Sequence, residues 1–196
     1  MNLNIAKEVN FNLLTNKSVD KNVACEIFEY LNDVVDDEDE APYLLAYYYE
    51  YGWCTEKNID LALKYYKYSA EKGVVGAYIR IGAINMELSQ YDEKYIHEAI
   101  EWLRKGVDKS SGICAYVLGN TYGNTLYSVT NQTKAVHFYK IAIDLGWIPA
   151  YKMLATLYRS SEKRGLKNFF FYIFYSIAYT LRSASNFMRF NRAKHH

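Results

Sequence analysis

Small, apolar, small and aromatic residues recur along the chain at i, i+4, i+5 and i+8. The series are Ala41, Leu45, Ala46, Tyr49; Ala77, Ile81, Gly82, Asn85; Cys114, Leu118, Gly119, Tyr122; and Ala150, Leu154, Ala155, Tyr158. This spacing puts all four members on one side of a helix. The anchors lie 36, 37 and 36 residues apart, so the chain repeats one structural unit.

Each unit then carries a second helical pattern after a loop: "IDLALKYYKYSAEKG", "YIHEAIEWLRKGVDKSSG" and "TKAVHFYKIAIDLG". A small residue (Ala62, Ala99, Ala135) precedes a bulky pair by three positions: Tyr65–Tyr66, Trp102–Leu103, Phe138–Tyr139. Gly73, Gly112 and Gly146 are expected to close these helices in the left-handed conformation. A fourth unit keeps the register through Phe174 and Tyr175 but lacks a closing glycine. Small residues let helix axes approach closely, and large rings fill the space left on the neighbour. A lone helix pair cannot bury such a face, so the pairs must stack, as in an α-solenoid.

The segments "AYYYEYG", "KAVHFYKIAIDLG" and "AYKMLATLY" resemble the Sel-one-like repeats, relatives of the tetratricopeptide repeats with longer units. The resemblance covers residues 41–182. Asn85 departs from it in place of an aromatic residue, and the second unit lacks the glycine ending its first helix. The family's G-x-G-V loop is absent throughout. The resemblance implies an all-α, right-handed α-solenoid of stacked antiparallel helix pairs. It also implies a protein–protein interaction module; with no catalytic constellation among the residues, neither a cofactor nor enzymatic activity is expected.

Outside residues 41–182, apolar spacing over 1–34 (Ile5, Val9, Leu13, then Val23, Ile27, Phe28, Leu31) suggests a further helix pair or N-terminal cap. "DDEDE" falls in a linker over residues 35–40 and reads as a solvated charge run, not a metal site. "NFFFYIFYSIAYTL" is the most apolar stretch, and its 13 residues after Asn168 are too few to span a bilayer. It is expected to be buried all round, with residues 183–196 as a capping tail over its outer side. A partner-binding patch and membrane contact are the alternatives.

Charge sharpens this organisation. The net value is only +1, which offers nucleic acid no global field, but residues 1–60 hold 4 Lys/Arg against 13 Asp/Glu. Residues 61–196 hold 19 against 9, so the molecule is polarised. Tyrosine is abundant at 21 residues and suits both helix interfaces and binding surfaces. The N-terminus lacks a secretory pattern, and Cys25, Cys54 and Cys114 form neither a CxxC nor a paired framework. Reduced thiols and a cytoplasmic location are expected, so Asn-x-Ser/Thr matches at Asn16 and Asn131 carry no glycosylation message. His195 and His196 have the look of a tag remnant and are set aside.

No catalytic or phosphate-binding motif occurs, and His97 and His137 have no recurring partner motif beside them. With positions 1, 5 and 9 of each unit facing the core, positions 3, 7, 10 and 11 flank a groove. Its expected partner-binding residues are Tyr43, Tyr47, Glu50, Tyr51, Glu87, Tyr116, Asn120, Lys152 and Arg159. The expected role is an immunity protein that binds and neutralises a cognate bacterial toxin or effector. The alternative is a general adaptor or scaffold in bacterial secretion, envelope or virulence signalling. An enzyme would instead need a cleft with polar groups converging on His97 or His137.

Overall fold

The computed structural model describes residues 2–15, 17–160 and 166–193. Among them are ten α-helices and no strand: α1 (Leu3–Leu14), α2 (Lys21–Asp33), α3 (Ala41–Tyr51), α4 (Ile59–Glu71), α5 (Val75–Leu88), α6 (Lys94–Asp108), α7 (Gly112–Gly123), α8 (Gln132–Asp144), α9 (Pro149–Ser160) and α10 (Leu166–Ala193). Local chemistry starts many of them. Side chains of Asn2, Asp20, Asn58, Ser111 and Asn131 each accept a hydrogen bond from a first-turn amide, satisfying a donor the helix itself leaves unpaired.

The helices form two compact units, one ending at Ile84 and one beginning at Asn85, a division that falls within α5. In the first, α1 and α2 pack on each other and on α3, and α3 packs on α4. Its core holds Ala6, Val9, Ile27, Leu31, Ala41, Leu44, Leu45 and Tyr48. In the second, α6 packs on α7, α7 on α8, α8 on α9 and α9 on α10. Each unit is therefore all-α and of the α-solenoid type, built from helices that stack in chain order. The repeat seam is the core in both: Ala41, Leu45, Ala46, Ala77, Ile81, Cys114, Leu118, Ala150 and Leu154 are all fully buried.

The small-against-large rule is visible at Gly119. A methyl group there would lie 2.5 Å from the Tyr139 ring, inside any real carbon–carbon contact, so α7 and α8 approach through the missing side chain. Gly73 and Gly146 close α4 and α8 with positive φ. Gly112 does not close α6. It opens α7, and Ser110 takes the left-handed position instead, at φ 61°. The reason is steric: a Cβ on Gly112 would stand 3.1 Å from Trp147 Cβ and 3.2 Å from Leu145 Cβ.

Two further expectations are corrected. Cys25 on α2 and Cys54, in the loop after α3, form a disulfide, so only Cys114 is free, and it is buried. Widely separated cysteines reveal no pairing by spacing; the fold brings their Cα atoms to 5.2 Å. At the other end, residues 183–193 continue α10 in place of a separate tail. No Gly or Pro interrupts residues 166–193, so nothing breaks the helix, and its outer face is exposed, not covered. Residues 194–196 lie outside the described residues.

Gly119→Ala is expected to destabilise by ~1–3 kcal/mol through overpacking, with Tyr139→Leu in the same chain recovering part of the loss. Denaturant unfolding of the two single variants and the double variant checks this. Separately, the disulfide joins residues 29 apart, and reducing it should remove ~3–4 kcal/mol by restoring chain entropy to the unfolded state. Parallel melts with and without reductant read that difference.

Candidate functional site

The first unit concentrates its polar chemistry around one carboxylate. Glu50, in the last turn of α3, is only 8% exposed. Tyr66 from α4 donates its hydroxyl proton to Glu50 Oε2 at 2.6 Å. Arg80 from α5 donates to the same oxygen through Nε at 3.3 Å, and its Nη2 pairs with Oε1. A buried carboxylate is tolerated only with such partners, so one acidic side chain ties three consecutive helices together.

Aromatic rings enclose the pair. The Arg80 guanidinium lies 5.6 Å from the Tyr47 ring centroid and 5.9 Å from that of Tyr51, within cation–π range. Arg80 Nη2 also donates to the Tyr51 hydroxyl at 3.2 Å. Tyr51 stacks on Trp53 at 5.0 Å, and Tyr47 meets Tyr66 edge-on at 5.6 Å. The Tyr43 and Tyr47 hydroxyls share a hydrogen bond of 2.8 Å. Tyr43 lies over Gly76 at the start of α5, where a Cβ would come within 2.5 Å of its hydroxyl.

Electrostatics follow from this enclosure. Burial pushes the Tyr66 phenol well above its ordinary range, and the Glu50 charge adds to the effect. Tyr47 is raised by burial and then by Tyr43. For Arg80, burial works against the charged form, but the Glu50 carboxylate outweighs it and the guanidinium titrates higher than usual. Tyr47 and Tyr66 thus stay neutral and the guanidinium stays charged, which makes a fixed structural unit.

Of the nine residues expected to bind a partner, four belong here. Tyr51 is 46% exposed and Tyr43 half-buried, but Tyr47 is 8% exposed, like Glu50. Tyr47 and Glu50 are therefore corrected from contact residues to supports. Helix α3 packs on α2 on one side and α4 on the other, which leaves little of its surface to solvent. The other five lie in the second unit. Tyr116 and Asn120 on α7 are half-buried; Asn120 accepts from the Tyr139 hydroxyl at 2.7 Å, and the Tyr116 ring lies against Tyr139 and Trp147. Glu87, Lys152 and Arg159 are exposed. Sequence reasoning did not select Tyr66 or Arg80. Arg80 did leave a trace, as the single basic residue of α5 and the one charge in its run from Val75 to Ile84.

The Sel1 repeat model matches residues 39–74, 80–111 and 113–147. No curated protein matches the chain. Among solved structures, a Sel1 repeat protein from Oxalobacter formigenes is similar at 18% identity and TM-score 0.60, over 88% of this chain and 71% of that one. A protective antigen of uropathogenic Escherichia coli strains, with an SLR fold, is similar at 18% identity and TM-score 0.63. It covers 92% of this chain, which spans 38% of that protein's length. An immunity protein from Pseudomonas aeruginosa aligns over 81% of this chain and 74% of its own at 18% identity, with a TM-score of 0.39, too loose to bear on fold or function.

Removing either partner of the ion pair should expose the cost of the other. Glu50→Met or Arg80→Met is expected to destabilise by ~3–5 kcal/mol, and the double variant by less than either single one. A double-mutant cycle in denaturant measures it.

Proposed function

Because the chain belongs to the Sel1 repeat family, whose repeats mediate protein–protein binding, we propose that it is a dedicated inhibitor, an immunity-type protein that grips and neutralises one bacterial toxin or effector. The observation that carries this reading is the pre-organised patch at the end of α3. Tyr51 is exposed, yet its ring is held by Trp53 and Arg80, and Arg80 is in turn held by buried Glu50. An anchor ordered before binding loses little entropy on contact, and tyrosine with arginine is the pairing that dominates binding hot spots. Such rigidity suits one tight partner better than the many weak ones of a general adaptor. The reading involves no chemistry by the protein itself: the polar groups at this patch hold one another, and occlusion does the work.

What supports an extracytoplasmic site of action is the Cys25–Cys54 bond, since disulfides persist in oxidising compartments. The cytoplasmic expectation rested on an N-terminus without a secretory pattern and on free thiols, and two of the three thiols are paired.

Co-expression with the products of neighbouring reading frames tests the proposal. The expected result is one stoichiometric partner whose toxicity is relieved, with Tyr51→Ala weakening the complex by roughly 30-fold, a hot-spot loss of about 2 kcal/mol. Several substoichiometric partners would favour the adaptor, and no complex with no rescue would overturn the inhibitor.

A further inference from the structure

Both ends of this chain present apolar surface, and the two ends carry opposite charge. Helix α10 packs Phe171 and Tyr175 against Tyr158 of α9 at 4.9 and 5.7 Å. Its other side exposes Ile173, Phe174, Ile177 and Leu181, whose 1, 3 and 4 spacing makes one stripe along the helix. Beside that stripe runs a groove of about 560 Å³ whose lining includes Ile143, Tyr151, Phe174 and Leu181, with Lys140, Asp144 and Arg182 as its charged residues. At the chain's beginning, α1 exposes Ile5, Phe11 and Leu14, and α2 exposes Val23. Repeat arrays normally end in a polar face, because the terminal unit has no neighbour to cover it.

Charge decides what fits these faces. Residues 149–193 contain eight Lys/Arg and one Glu, whereas residues 2–40 contain three Lys and ten Asp/Glu. Two copies meeting α10 to α10 would bring like charges together. The acidic, apolar α1–α2 end of a second copy meets the basic, apolar α10 face with both terms favourable. We propose that this chain associates head to tail, with the α1–α2 surface of one copy seated on the Phe174–Ile177–Leu181 stripe of the next. The contact is heterologous, so assembly continues beyond a dimer unless a ring closes. It involves neither Tyr51 nor Arg80 and stands independently of the inhibitor reading. An anionic bilayer, which a basic helix with an apolar stripe also suits, lacks this complement within the molecule itself.

Sedimentation of the purified full-length chain over rising concentration, at low salt and at about 0.5 M salt where the Debye length falls below about 5 Å, tests the association. The weight-average mass should climb with concentration at low salt and fall back toward the monomer at high salt. Phe11→Lys and Ile177→Glu each put the charge of the opposite end onto an exposed apolar position, so each alone should be monomeric with an unchanged helical circular dichroism spectrum. Mixing the two restores association, because each supplies the end the other has lost. A Phe11→Lys variant that still dimerises would replace the model with an α10–α10 dimer. A wild-type chain that stays monomeric at every concentration, whether or not it sediments with phosphatidylglycerol vesicles, would overturn it.

Discussion

The structure depends on how closely neighbouring helices approach, and that distance is set by single residues without side-chain bulk. At Gly119 the Tyr139 ring occupies the space a methyl group would need. Tyr139 then reaches Asn120 with its hydroxyl and Tyr116 with its ring. One omitted side chain thus fixes a packing distance and the position of a polar group. The same relation recurs at Gly76, which leaves room for Tyr43, and Tyr43 in turn meets Tyr47. Interiors packed at crystal-like density transmit such choices without slack.

In the first unit the close approach is combined with a buried charge. Three helices bring Glu50, Tyr66 and Arg80 to one point, and the carboxylate is left with donors on both oxygens. A buried pair of this kind contributes little net stability against an apolar replacement. Its consequence is geometric: Arg80 is held where its outer edge meets Tyr51. The ring that reaches solvent is ordered, through Arg80, by a buried carboxylate. Glu50 and Tyr47 support the candidate site from below, since both are buried.

Most of the fold was legible because every unit solves the same packing problem with the same residue sizes. Ala41, Ala77, Cys114 and Ala150 mark the helix starts at a near-constant period and are all fully buried, so periodicity alone located the core. What failed depended on contacts distant in sequence. Gly112 resembled a helix-ending glycine, but Trp147 and Leu145 determine its role. The Cys25–Cys54 bond needs α2 and the loop after α3 to lie side by side, which no spacing rule reveals. Of the candidate site, the register of α3 placed Tyr51 at an exposed position and Tyr43 at a half-buried one, whereas Arg80 required knowing which helix would stand opposite Glu50.

The continuation of α10 through Ala193 departs from the way the earlier units end. Gly73 and Gly146 turn the chain back after α4 and α8, and Ser110 does so after α6. The fourth unit places Arg182 and Ser183 at the matching positions, and both are helical, so the helix runs on for 28 residues and carries its apolar stripe with it. The missing turn and the uncovered surface therefore fall in the same unit, the one that lacks at this place the glycine by which Gly73 and Gly146 reach the left-handed conformation.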